Sequence, residues 1–384
     1  MISSERIIDL LADRGYGTAA GVPCSILTPL INSVIDDSRI EYVGATSEGE
    51  AIALNAGVHL AGGKSLTLCQ NSGLGNMVNP LTSINRPFRF PTLLVVTWRG
   101  EPDSGDAPQH EFMGEVTPGL LEQLGIPWRR FPAEAEELEA VLNEADEWFK
   151  TESLPFALVL SRGVISGPET PCENKSFNRP EPQLTSVDST GDRPSRTEAI
   201  KAVLEQLSGP EVLIGSTGKI GRELYALDDR ERNLYVVGGL GTASAIGNGL
   251  ALNRPDLSVV VLDGDGSVLM KMGNLATIGA YGAENLLHVV LDNEVHDSTG
   301  GQFTVSSQVD LAAVAEACGY QRQFTVSTRD DFEEVYQQAS VEEGPVLVRL
   351  KIKPGSPPDL PRPPFSPAEN KQRLRRAIGT SAHD

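Results

Sequence analysis

Aromatic residues make up only 5% of this 384-residue chain, and cysteine occurs four times. No apolar run approaches the ~18 residues that a membrane-spanning helix needs. Each shortage excludes something. The cysteines, Cys24, Cys69, Cys172 and Cys318, form no CxxC pair, so a zinc cluster, a thioredoxin-like motif and a disulfide framework lose support. Isolated thiols of this kind read as reduced and cytoplasmic. Basic charge is scarce too: 32 Lys and Arg against 52 Asp and Glu leave −20. That balance excludes a nucleic-acid binder, which needs a basic face to neutralise phosphates, and disfavours docking to anionic membrane lipid. The opening MISSERIIDLLADRG carries acids where a secretory leader needs a basic start, and reads instead as an amphipathic helix. What remains is 40% hydrophobic, 22% charged and rich in glycine, at 38 residues. Such a composition suits an α/β enzyme, with two or three domains at one per ~150 residues.

Two halves share one rhythm, in which short apolar β-branched runs alternate with longer amphipathic stretches. In the first half strands are expected at 65–69, 92–97 and 156–160, and helices at 5–14, 48–61 and 133–149. In the second, strands are expected at 211–215, 234–238, 258–264, 286–293 and 345–350, with helices at 197–207, 242–252, 272–281 and 310–318. Apolar strands separated by helices predict parallel sheets covered on both faces. The expectation is two doubly wound α/β domains, residues 1–165 and 196–352. Between them, residues 166–195 hold five prolines and one aromatic, and read as a surface linker. Residues 353–384 form a Pro-rich basic tail, expected to lie as an arm on an acidic body, its own or a neighbouring subunit's.

The densest chemical signal is SVVVLDGDGS followed by LLHVVLDNEV. Asp265 sits between Gly264 and Gly266 straight after one strand, and Asn293 ends the next. Neighbouring strand ends of a parallel sheet lie side by side at its carboxyl edge, where open α/β sheets bind ligands. A carboxylate and an amide oxygen would converge there on a hard cation such as Mg²⁺, which completes its shell with phosphate oxygens and water. The flanking glycines let backbone N–H groups approach phosphates. A lone GDG fits an ordinary turn equally well; the following strand and its Asp-Asn end favour a metal–diphosphate site.

This pattern resembles the signature of the thiamine-diphosphate-dependent enzymes, GDG followed at a distance by NN, with Asp292 here in place of the first Asn. The resemblance implies their two-domain fold, a pyrimidine domain and a diphosphate domain with no middle domain. It further implies Mg²⁺ on Asp265, the Asn293 side chain and the Val295 carbonyl, and diphosphate on Gly264, Gly266, Ser267, Thr217 and Gly218. Such enzymes carry a catalytic glutamate that opens a helix, and ATSEGEAIALNAG at 45–57 offers Glu48. Glu48 would hydrogen-bond N1′ of the aminopyrimidine and stabilise its imino tautomer, so that the 4′-nitrogen can take the C2 proton. Glu50 would face another side of the helix. The Gly238 carbonyl would meet the 4′-amino group and Leu240 would wedge the cofactor into its bent form, although Gly238–Gly241 also suits a tight strand-to-helix turn. Enzymes of this family share their cofactor between one chain's pyrimidine domain and another's diphosphate domain, which implies a homo-oligomer.

Further stretches resemble the phosphonopyruvate-decarboxylating branch of that family: GVPCS (21–25), QNSGLGNMVNPLTSINRPFRFP (70–91), TWRGEP (97–102), DAPQHEFMG (106–114), STGKIGREL (216–224) and DNEVHDSTGGQ (292–302). Sulfopyruvate decarboxylases share much of this pattern, often divided between two subunits, and a fused chain leans toward the phosphonate. The resemblance implies a lyase that yields phosphonoacetaldehyde and CO₂ in phosphonate biosynthesis, for example toward 2-aminoethylphosphonate. A non-catalytic cofactor-binding subunit is the remote alternative. An acidic chain needs local cations to accept such a substrate, and Arg86, Arg89, Arg99, Lys219 and Arg222 are the candidates, each equally suited to a surface ion pair. By resemblance Ser25 would contact the substrate carboxylate; it fits a helix N-cap as well. Asn71, Ser72 and Asn76, expected in a Gly-rich turn, could hydrogen-bond cofactor or substrate. Among the histidines, His59 and His288 read as structural and His383 lies in the tail. His110, in a polar loop, and His296, just past the metal motif, are the candidate proton relays.

Overall fold

The computed structural model describes residues 1–170, 177, 181, 183–187 and 191–380; Cys172, His383 and parts of the expected linker lie outside them. The chain divides into two compact units, Met1–Ser176 and Phe177–His383.

The first unit holds a six-stranded sheet in the spatial order Glu41–Gly44, Tyr16–Gly21, Lys64–Gln70, Leu93–Thr97, Phe156–Leu160, Trp128–Arg130, with every pairing parallel. Side chains alternate across it. Leu93 and Val95 pack with Ile7, Leu11 and Leu142 on one face, while Leu94 and Val96 pack with Ile52, Leu74 and Leu121 on the other. Burial on both faces is why these strands are uninterrupted apolar runs.

The second unit holds a seven-stranded parallel sheet in the order Asn233–Tyr235, Val212–Gly215, Val259–Gly264, Leu286–Asp292, Val346–Lys351, Arg322–Val326, Leu184–Ser186. In each sheet the chain winds outward from a central pair in both directions, Tyr16–Gly21 beside Lys64–Gln70 and Val212–Gly215 beside Val259–Gly264. The crevice at the carboxyl end of such a pair is where doubly wound sheets receive ligands. The expected doubly wound α/β class is thus the observed one.

Several local expectations change. The strands Tyr16–Gly21, Glu41–Gly44, Trp128–Arg130 and Arg322–Val326 are additional to those expected. At the start of the expected linker, Ile165–Ser166 pairs with Ile2–Ser3, and within it Leu184–Ser186 forms the outer edge of the second sheet. The tail is no loose arm. Ser366 caps a helix, Pro367–Ala377, with a reciprocal capping box to Glu369 and proline at its start. That helix buries Asn370, Lys371, Leu374 and Arg375. The Asn370 side chain accepts from the Tyr235 N–H at 2.8 Å and donates to the Asn233 carbonyl at 2.8 Å, closing the edge of the second sheet. No helix among the described residues is long and apolar enough to cross a membrane.

Candidate active site

In the second unit, Gly264 pairs with Leu291 across neighbouring strands, so Asp265 and Asn293 leave the sheet side by side. They border a cavity of about 260 Å³ that Thr217, Gly218, Leu240, Gly266, Ser267, Val295 and His296 also line. Each is held there by its neighbours. Thr217 Oγ1 accepts from the Gly238 N–H at 3.0 Å, and Ser267 Oγ accepts from the Gly241 N–H at 3.1 Å, which tie the glycine loop to the cavity. Gly218 has φ +97, and a Cβ on Gly266 would lie 2.4 Å from Cε1 of His296. Glycine is needed at both places, by conformation at the first and by close approach at the second.

Asp265 is 2% exposed, and its Oδ2 accepts from the Thr304 hydroxyl at 2.5 Å. Burial lifts this carboxyl above the usual carboxylate range; the Thr304 bond opposes the rise and the nearby Asp292 charge adds to it. Asn293 donates its side-chain amide to Asp297 Oδ2 at 2.7 Å, which leaves Oδ1 as its free acceptor apart from a 3.3 Å contact with the Val295 N–H. Asp297 is held by Arg196, whose other nitrogen donates to Glu223 at 2.8 Å, and by the Gly355 N–H at 3.1 Å. The donors at the cavity are therefore hard oxygens. Ser216 Oγ, buried at the cavity wall, has no hydrogen-bond partner among the described residues. This set fits a diphosphate and Mg²⁺: one carboxylate, one oriented amide oxygen, a backbone carbonyl, a waiting hydroxyl and unhindered glycine backbone.

In the first unit, Glu48 opens the helix Glu48–Leu60 behind the Ser47 cap and is 8% exposed. Asn76 Nδ2 donates to Glu48 Oε2 at 2.7 Å, and the other carboxylate oxygen makes no hydrogen bond among the described residues. Gly73 lies against the same carboxyl, where a Cβ would come within 2.5 Å of Oε1. Glu50 is spent locally, accepting from the Thr46 N–H and hydroxyl at 2.7 and 2.6 Å. Ser25, Asn71, Ser72, Arg99 and His110 follow strands at this same carboxyl edge.

Several candidates are differently placed from the expectation. Asn71 and Ser72 lie in a turn after the strand as expected, the 3₁₀ turn Asn71–Gly73, whereas Asn76 lies on the helix Leu74–Pro80. Asn71 is fully buried and donates to the Arg99 carbonyl at 2.8 Å and to Thr117 at 2.9 Å, so its amide secures the scaffold. His110 is not in a loop but in the first turn of the helix Pro108–Gln123, packed on Gly100. Ser25 is exposed and is not a cap, because the next helix begins at Thr28 behind Leu27. Arg99 is locked to Asp106 by paired bonds of 2.6 and 2.7 Å, and Arg222 holds the carbonyls of Leu360 and Pro361. Arg86 and Arg89 precede the strand Leu93–Thr97 and stand at the amino edge of the sheet, with Arg89 3.3 Å from Glu152. That edge is opposite the one that carries Glu48. Lys219 lines the second unit's cavity. The sequence reading missed Asp297, Thr304, Ser306, Arg196 and Arg349. Arg196 and Arg349 reach the motif residues from distant parts of the chain, Asp297, Thr304 and Ser306 from the stretch just past it, and only the acid at position 292 hinted that a buried cation was needed.

Comparisons with known proteins add the following. Residues 1–120 match the thiamine pyrophosphate enzyme N-terminal TPP binding domain, and residues 214–350 match the C-terminal TPP binding domain of the same enzymes. The chain is 44% identical to a phosphonopyruvate decarboxylase of Streptomyces viridochromogenes, over 99% of this chain and 96% of the relative. It is 31% identical to a sulfopyruvate decarboxylase of Methanosarcina acetivorans, over 97% of each. That relative is itself a single chain, so fusion of the two halves does not separate the phosphonate from the sulfonate. Among solved structures, benzoylformate decarboxylase from Polynucleobacter necessarius matches with TM-score 0.69 at 14% identity, covering 92% of this chain and 99% of that one.

Proposed function

Because this chain belongs to the thiamine pyrophosphate enzymes, in the group that includes the phosphonopyruvate decarboxylases, we propose that it converts 3-phosphonopyruvate to phosphonoacetaldehyde and CO₂. The observation that carries this reading is the pair Asp265 and Asn293, brought to one oxygen-lined cavity beside an unpartnered Ser216 hydroxyl.

Asp265, the Asn293 side-chain oxygen and the Val295 carbonyl would hold Mg²⁺, and Gly264, Gly266, Ser267, Thr217 and Gly218 would hold the diphosphate. Thiamine diphosphate, when bound, supplies a carbon nucleophile for the C2 carbonyl and a sink for the electron pair that CO₂ leaves behind. Glu48 would share a proton with N1′ of the aminopyrimidine, and its bond to Asn76 fixes the direction in which the free carboxylate oxygen points. The Gly238 carbonyl would accept from the 4′-amino group, and Leu240 would support the cofactor from below. His110, with His296 as the alternative, would supply the proton that takes the place of CO₂ in the product. Ser25 and Ser72, both exposed at the carboxyl edge of the first sheet, meet the polar end of the substrate. In this reading the enzyme works as a homo-oligomer, which sedimentation would register as a dimer or larger.

Sulfopyruvate is the second reading, favoured by the single-chain Methanosarcina acetivorans relative. The test is aldehyde release from purified protein given phosphonopyruvate, sulfopyruvate or pyruvate, with and without thiamine diphosphate and Mg²⁺. Turnover of phosphonopyruvate above the other two, dependent on both additions, is expected. Preference for sulfopyruvate, or turnover indifferent to the cofactor, would overturn it.

A further inference from the structure

A second, larger cavity of about 540 Å³ adjoins the first in the same unit, and the two share Thr217, Gly218, Lys219 and Ser298. Its outer wall comes from the C-terminal segment, through Arg362, Pro363, Phe365, Ser366 and Pro367. Its charge is unusual for this molecule. The chain carries −20 overall, yet the cavity is lined by Lys219, Arg222 and Arg362 and by no carboxylate.

The three cations are not equivalent. Arg222 is occupied, because its guanidinium grips the main-chain carbonyls of Leu360 and Pro361 and so fixes the proline-rich stretch. That grip sets the position of Arg362, the next residue along. Lys219 and Arg362 have neither an ion pair nor a side-chain hydrogen bond among the described residues. In a protein with a large excess of acid, two cations on the wall of one cavity with no carboxylate in its lining keep a positive potential inside it, while Asp265 and Asp297 line the smaller cavity that Lys219 also borders. Lys219 also begins the helix Lys219–Leu227, whose N-cap, Gly218, offers no capping side chain. Its first N–H groups add to the same potential. Aromatic and apolar walls at Tyr235, Val237 and Phe365 lower the local polarity and strengthen an ionic contact.

We propose that Lys219 and Arg362 form an anion subsite for the tetrahedral phosphonate of the substrate, so that the C-terminal segment sets the preference for dianionic 2-oxoacids. This rests on the decarboxylase reading above and deepens it. Lys219 stands on the wall common to both cavities, so it borders the larger cavity and the one that would hold the cofactor's diphosphate at once. Arg222 acts as a positioning residue that carries the segment bearing Arg362.

The test uses full-length protein loaded with thiamine diphosphate and Mg²⁺, in wild type, Lys219→Met, Arg362→Ala and Arg362→Lys. Three quantities are measured: kcat/KM for phosphonopyruvate and for pyruvate, the calorimetric Kd of methylphosphonate, and the Kd of thiamine diphosphate. Losing one charged hydrogen-bond donor should lower the phosphonopyruvate-to-pyruvate ratio about tenfold or more, chiefly through KM, and weaken methylphosphonate to match. Arg362→Lys should keep part of both, and cofactor affinity should stay within about twofold. A ratio and a methylphosphonate Kd that stay at wild-type values overturn the subsite. So does weakening of thiamine diphosphate in step, which would assign these cations to the cofactor's diphosphate. Wild type that turns over neither oxoacid defeats the decarboxylase reading instead, and the methylphosphonate titration then still decides the subsite.

Discussion

Arg349 reaches from the adjacent strand onto Asp292, placing Nε 2.8 Å and Nη2 2.6 Å from the same carboxylate oxygen, with both residues buried. The family signature has an amide where this chain has Asp292, and the pairing explains how the acid is accommodated. Arg349 compensates it, Ser306 donates to its other oxygen at 2.9 Å, and Thr304 links onward to Asp265. A charge that would otherwise accumulate beside the Asp265 carboxylate is thereby offset.

Removing one partner of such a pair leaves the other buried and uncompensated. Arg349→Met should cost about 3–5 kcal/mol of stability by urea unfolding. The double change Asp292→Asn with Arg349→Met should recover most of that loss, because both charges are then absent. Equal losses in the single and double variants would contradict the account.

Asp297 orients Asn293 without being a proposed ligand itself. Asp297→Ala should weaken Mg²⁺ about 10- to 100-fold, the usual effect of losing an outer-sphere partner, while far-UV circular dichroism is unchanged. Magnesium dependence of cofactor uptake reads this directly, and unchanged dependence would remove Asp297 from the site.

Glu48→Gln should still bind thiamine diphosphate but lose turnover by about 10²- to 10⁴-fold, since the amide keeps the shape without sharing the proton. The contrast of an intact Kd with a collapsed kcat is the signature to look for. A proportional loss of both would make Glu48 a binding residue only.

The sequence displayed the parts of this protein that rest on local pattern. Apolar runs such as TLLVVT and SVVVLDG became central strands within a residue or two, because burial on both faces demands continuous hydrophobicity. Tyr16–Gly21 was hidden by its small residues, YGTAAG, which carry little β signal although they form a central strand. The helix Pro108–Gln123 was hidden by Pro118, Gly114 and its polar start. The tail helix was hidden by its charges, since Lys371 and Arg375 are buried in a segment that reads as solvated. At the site, Asp265 and Asn293 were legible because strand ends in a parallel sheet must adjoin. Arg86 and Arg89 precede a strand rather than follow one, so they stand at the sheet edge opposite the one that carries Glu48, a placement that a run of polar residues does not record. Arg196 and Arg349 act through contacts distant in sequence, which no local spacing records, whereas Asp297 lies only four residues past Asn293.

Acid should act on the first unit through Asp106. The Arg99 fork, aided by the Ala107 and Gly100 N–H groups, holds its carboxyl well below the usual carboxylate range. A lowered folded-state pKa contributes stability above the ordinary value of 3.8 that is lost as pH falls through the folded value. The stability gap between wild type and Asp106→Asn should therefore be constant near neutrality and shrink below about pH 4. A gap that stays flat through that range would show the pair to be energetically silent.

The central claim is that Asp265 and its neighbours bind thiamine diphosphate through Mg²⁺. Calorimetric titration of the full-length protein with thiamine diphosphate tests it most directly. Saturable uptake in the presence of Mg²⁺, abolished by chelator and by Asp265→Ala, is the predicted result. No uptake by wild type supplied with metal, or uptake that Asp265→Ala leaves intact, would contradict it.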